Sequence, residues 1–206
     1  MHLRAFPNRL QFAHDTERTG GVGGSPNSVD WGKVKTSEWD KKFDSITDNK
    51  KLNALIRDEA LRIFEHRDNS DYEDLSIINA TTNSLVGRST NAKQPGETRY
   101  TEDLRRKIQA AHNRGKSLIS IHNHPNDAPP SLSDLSSMNT RGYSKSIAIG
   151  HGGSIFVVDK IATRFMRYDY AESFNRHIQD GLNEHKAAIM ALKELQDKGL
   201  ISWREL

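Results

Sequence analysis

The chain has 206 residues and no cysteine, which excludes disulfides and thiolate metal sites. With 34% hydrophobic residues and a mean hydropathy of −0.76, it has apolar material for a core of about 100–130 residues rather than for its whole length. A net charge of +3 with a pI near 9.1 is too mild to suggest a nucleic-acid partner, and no apolar run reaches the ~18–20 residues of a membrane helix.

The first 36 residues read as a flexible segment or linker. The stretch Thr19 to Ser28 (TGGVGGSPNS) is rich in Gly and Ser and cannot build a packed core. The N-terminus carries no signal-peptide core, so a cytoplasmic, non-secreted protein is expected. The arrangement suggests the tail domain of a longer protein. From about Lys50 to His66 the residues Leu52, Leu55, Ile56, Ala60, Ile63 and Phe64 fall on one helical stripe. Glu73 to Ala80 reads as a strand, and Leu85 to Ser89 as the second arm of a hairpin. Residues 90–100 form a loop. Thr101 then caps a helix that runs to Arg114 and stops at Gly115.

Leu118 to His122 reads as an apolar strand, and Ser131 or Ser133 caps a short helix through Met138. Ser146–Gly150 and Ser154–Asp159 form two strands around the turn His151-Gly152-Gly153. A single long helix is expected from about Tyr170 to Lys198. The order predicts an α+β fold with helices flanking one mixed sheet. The division expected is a flexible segment over 1–36, a catalytic domain over 37–165 and a C-terminal helical extension over 166–206.

The segment His122-Asn123-His124-Pro125, followed by Ser131 and Asp134, carries the chemistry. Two imidazoles at i and i+2 on a strand face the same way. Pro125 ends the strand, a stiff loop with Pro129-Pro130 follows, and Asp134 enters in the first turn of the next helix. Two nitrogens and one oxygen with a fourth position left for water is a catalytic zinc geometry. Such a site needs a general base that does not ligate the metal. The candidates are Glu59, Glu65, Glu73, Glu97 and Glu102, with Glu73 favoured at the start of its strand. Ser131 offers a hydroxyl to a developing oxyanion, although Ser-x-x-Asp is equally a helix cap. Asn123 points away from the histidines by alternation and reads as a loop-fixing hydrogen bonder. His151 reads as a turn histidine with a lesser chance of lining the cleft. His2, His14, His66, His112, His177 and His185 show no ligand spacing.

This constellation resembles the JAMM/MPN+ (JAB-type) zinc metallopeptidase motif: Glu, then His-x-His-Pro, a spacer, then Ser-x-x-Asp. The HNHP form is most similar to the RadC-type branch and to JAB domains of phage minor-head (MuF-like) proteins, and the segment Gly150-His151-Gly152-Gly153-Ser154-Ile155-Phe156 resembles the latter. The resemblance covers about residues 50–160, with a spacer one residue shorter than the RadC-type one. It implies a mixed, curved sheet flanked by helices, of the JAB/MPN (cytidine-deaminase-like) architecture. It also implies His122, His124 and Asp134 as ligands of Zn2+, Glu73 as catalytic glutamate and Ser131 as the residue that polarises the scissile carbonyl. The activity implied is hydrolysis of peptide or isopeptide bonds in a protein or peptide substrate. The competing reading is a catalytically silent JAB-like scaffold of a phage-derived or multi-domain effector protein, which would place the chain in a virion instead of the cytoplasm. The sequence leaves the oligomeric state open.

Overall fold

The computed structural model describes residues 27–206. In chain order these form α1 (Ser37–Lys42), α2 (Lys50–Arg67), β1 (Leu75–Asn79), β2 (Ser84–Ser89), α3 (Glu102–Asn113) and β3 (Leu118–His124). There follow α4 (Leu132–Arg141), β4 (Lys145–Gly150), β5 (Ile155–Ile161), α5 (Arg167–Gln179), α6 (Glu184–Asp197) and β6 (Ile201–Glu205). The strands make one sheet in the order β2-β1-β3-β4-β5-β6. Only β3 and β4 run parallel; the other neighbouring pairs are antiparallel. The fold is therefore α+β, a mixed sheet with helices on both faces.

Strand alternation splits the core in two. Ile78, Ile119, Ile121, Ile147, Ile149, Ile155 and Val157 face α1 and α2, where they meet Trp39, Ile56, Ile63 and Phe64. Leu75, Ile77, Leu118, Ala148, Phe156 and Val158 face the other way, against Leu104 and Ile108 of α3, Leu135 of α4, Tyr170 of α5 and Leu192 of α6. Each such aliphatic side chain contributes about 1.5–3 kcal/mol on full burial. β1 and β3 are buried along both faces, which explains their near-continuous apolar runs.

The helix starts follow local hydrogen bonding. The Asn49 side chain accepts from the N–H groups of Lys51 and Leu52, and Thr101 accepts from Leu104 N–H. Ser131 opens α4 with a reciprocal capping box to Asp134. That helix runs to Arg141, three residues past the expected end, and stops where Gly142 takes a left-handed φ of 63°.

Two expectations change. The single helix over 170–198 is two helices, α5 and α6, and the last element is the strand β6, paired with β5. The break has a local cause: Gly181 adopts φ 90°, and the Asn183 side chain caps α6 by accepting from Lys186 N–H. The apolar stripe continues through the break because both helices pack on the same sheet face, so periodicity alone hides it. The packed unit also begins before residue 37. Val29 and Val34 are buried, and the Asp68 carboxylate accepts from Val29 N–H and from Trp31 Nε1. Residues 1–26, with most of the Gly/Ser-rich stretch, lie outside the described residues.

Candidate metal centre

The site forms where the chain leaves the C-terminal end of β3, beside its parallel neighbour β4. Ligand sites commonly form at this end of parallel strands. His122 and His124 project from one face of β3, on the side covered by α3 to α6. Both rings are buried, 4% and 6% exposed. The antiparallel register pairs Leu75 with His122, and its continuation sets Glu73 beside His124 on the same face. α4 brings in Asp134 from its first turn.

Among the described residues, His122, His124 and Asp134 form the one group of three or more His or acidic side chains arranged to hold a metal, their ligand atoms all lying within 4.8 Å of one another. His122 Nε2 is 2.9 Å from His124 Nε2 and 3.2 Å from Asp134 Oδ1, and His124 Nε2 is 3.4 Å from Asp134 Oδ2. Four ligands at ~2.0–2.1 Å around a tetrahedral ion stand about 3.3 Å apart, so the three side chains are spaced to hold a metal ion among them. The supporting bonds suit this as well. His124 Nδ1 donates to the Ala128 carbonyl at 2.7 Å, which aims Nε2 at the cluster. Asp134 Oδ2 accepts from both the N–H and the hydroxyl of Ser131, each at 2.7 Å.

Electrostatics couple the four groups. Burial works against charge on His124, but the hydrogen bond and charge of Asp134, with the Glu73 carboxylate, outweigh it and raise its pKa to about 9. Burial likewise opposes the Asp134 carboxylate, and the two imidazoles outweigh it, holding it well below the usual range. Glu73 goes the other way. Burial raises its carboxyl, helped by the Asp134 charge and only partly offset by His124 and His122.

The structure thus brings Glu73, His122, His124, Ser131 and Asp134 together. The Ser131 proton is committed to Asp134, so the hydroxyl acts here as a clamp on a ligand. The other glutamates lie elsewhere. Glu59 sits on the opposite face, bound to Arg62, Ser76 and Arg88, while Glu65 is exposed and pairs with Lys35. Glu97 and Glu102 are exposed. His151 does not line the cleft; it is fully buried on the α2 side, edge-on to Phe64. Sequence reading missed Tyr100 and Tyr170. Burial raises both hydroxyls, and the charge of Asp134 reaches both from the cluster. Neither carries a sequence signal, since one ends a loop and the other belongs to an ordinary amphipathic helix. Comparison of the chain with protein-family models, curated proteins and solved structures found no match.

Proposed function

We propose that this protein is a zinc-dependent hydrolase of peptide or isopeptide bonds, of the JAMM type that its motif resembles. The observation that carries the reading is the convergence of His122, His124 and Asp134 at metal-ligand spacing with Glu73 buried beside them. Zinc held there would supply a Lewis acid that activates water near neutral pH. Glu73 takes a proton from the attacking water and passes it to the leaving nitrogen, and its raised carboxyl pKa suits both roles. Ser131 holds Asp134 and, once its proton is redirected, donates to the developing oxyanion.

The depth of the site favours a second reading, the catalytically silent scaffold. His122, His124 and Glu73 are all buried in this conformation, so a substrate needs the rim to open. The test has two stages. Elemental analysis is expected to find about one zinc per chain, lost in the His122→Ala/His124→Ala variant. A library of peptide and isopeptide conjugates is then screened, with Glu73→Gln expected to keep zinc and lose turnover. Metal-replete protein with no hydrolysis points to the scaffold, and absence of zinc after metal is supplied overturns both the metal centre and the hydrolase.

A further inference from the structure

Asn123 stands between the two histidines in sequence and on the opposite face of β3 in space. It is fully buried, and its amide grips the backbone on both sides of Glu73. Oδ1 accepts from the Asp74 N–H at 2.7 Å, and Nδ2 donates to the Tyr72 carbonyl at 3.2 Å. The second Nδ2 proton meets His151 Nε2 at 3.0 Å. On its other side, His151 Nδ1 lies 2.7 Å from the Asn27 carbonyl oxygen. That oxygen only accepts, so Nδ1 carries a ring proton, and in the neutral ring Nε2 is the acceptor for Asn123. The donors and acceptors therefore fix one orientation of the amide: nitrogen toward Tyr72 and His151, oxygen toward Asp74.

The grip falls where the sheet gives least support. Regular pairing of β1 begins at Leu75, two residues after Glu73. The neighbouring Asp74 side chain is drawn the opposite way, to Arg62 and Arg67 of α2. Asn123 closes the bracket from β3, the strand that carries both histidines.

We propose that Asn123 is the positioning residue of this site. It holds Tyr72 to Asp74 so that the Glu73 carboxyl faces the His122–His124–Asp134 cluster, and His151, tied to the Asn27 carbonyl, holds Asn123. The proposal rests on the reading of Glu73 as the acid–base residue of a metal centre. Asparagine is suited to the task because its planar carboxamide presents an acceptor and two donors on a stem one methylene shorter than that of glutamine. An aspartate at 123 would set oxygen against both the Tyr72 carbonyl and His151 Nε2.

The experiment uses the full chain and two readouts. In the metal-free protein, hydrogen exchange at the Asp74 amide is expected to speed up about tenfold in Asn123→Ala, the equivalent of one lost hydrogen bond. The Ile119 and Ile147 amides should stay as protected as before. With Co2+ as the probe, the unaltered protein, Asn123→Ala and Glu73→Gln should each bind about one ion per chain. The visible spectrum of Asn123→Ala should then move from that of the unaltered protein toward that of Glu73→Gln. His151→Ala, which removes only the outer support, should shift both readouts in the same directions by less, and serves alone if Asn123→Ala does not fold. Unchanged Asp74 exchange overturns the proposal. So does an unchanged Co2+ spectrum while that of Glu73→Gln differs. A spectrum that Glu73→Gln leaves unmoved overturns the role of Glu73 and the positioning role with it. No Co2+ uptake by the unaltered protein overturns the metal reading, a failure distinct from unaltered exchange at Asp74.

Discussion

Metal binding to this protein should be strongly pH-dependent, because the metal and a proton compete for His124. In the metal-free state the Asp134 carboxylate and Glu73 hold the His124 imidazolium up to about 9. Nε2 must lose its proton before it ligates. At pH 7, two pH units below that pKa, about one imidazole in a hundred is free to ligate, so the affinity for Zn2+ is expected to be lower by about fiftyfold than at pH 9, where half are free. Calorimetric titration of the metal-free protein between pH 6.5 and 8.5, in buffers of different ionisation enthalpy, measures both the slope and the protons released. The expected result is a rise of about tenfold in affinity per pH unit, with at least one proton released per metal bound. An affinity flat across this range, or binding without proton release, would falsify the assignment of His124 as a ligand held in its charged form by Asp134.

The same coupling acts on folding. The folded pKa of His124 lies above the ordinary imidazole value of 6.5, so its contribution to stability is complete below about pH 6.5 and is lost as pH rises through about 9. Chemical denaturation of the metal-free protein should show a loss on the order of 3 kcal/mol across that window, and bound Zn2+ should abolish it. The depressed carboxyl of Asp134 is the other side of this same interaction. Glu73→Gln should unfold no more easily than the unaltered protein at pH 7 in a thermal melt, because it removes a buried carboxyl whose raised pKa marks an unfavourable charge. Gly150→Ala should destabilise by about 2 kcal/mol or more. A Cβ there falls 1.6 Å from Asp127 Oδ1, the atom that accepts from Gly152 N–H and Ser154 Oγ, and a midpoint shift in urea under half that size contradicts the close approach. Asp74→Asn should cost about 1–3 kcal/mol by removing the buried carboxylate from Arg67 and leaving Arg62 with Glu59 alone; denaturant unfolding reads it directly.

Wherever one local rule governed an element, the sequence was enough. The α2 stripe from Leu52 to Phe64 packs on the sheet, Thr101 caps α3, and Ser131 caps α4 and so delivers Asp134 to the end of β3. The i, i+2 histidines had to share a face once the strand was recognised, and the structure brings them within ligand distance of Asp134. Periodicity failed at Gly181, where the stripe ran on through a turn, and at Ile201–Glu205, where five residues alternate too briefly to stand out. The segment from Val29 to Val34 looked like linker because its two buried apolar residues lie five apart and follow no period; burial against α1 and α2 is what orders it.

The sequence by itself determined the α+β class, the grouping of His122, His124 and Asp134 and the cap that aims Asp134, because the last two follow from spacing within about a dozen residues of chain. The sequence favoured Glu73 among five glutamates, and tertiary structure decided that it stands beside the cluster. Glu59 and Glu73 are both buried acids on neighbouring elements, yet strand alternation and the Leu75–His122 register put one behind the sheet among arginines and the other in front of it beside the histidines. It also decided the environment: the hydrogen bond and charge of Asp134 drive His124 up against the opposing effect of burial, whereas burial itself drives the Glu73 carboxyl up. Charge and desolvation act over a few ångströms of space, and residues 73, 122 and 134 become neighbours in space only when β1, β3 and α4 have packed.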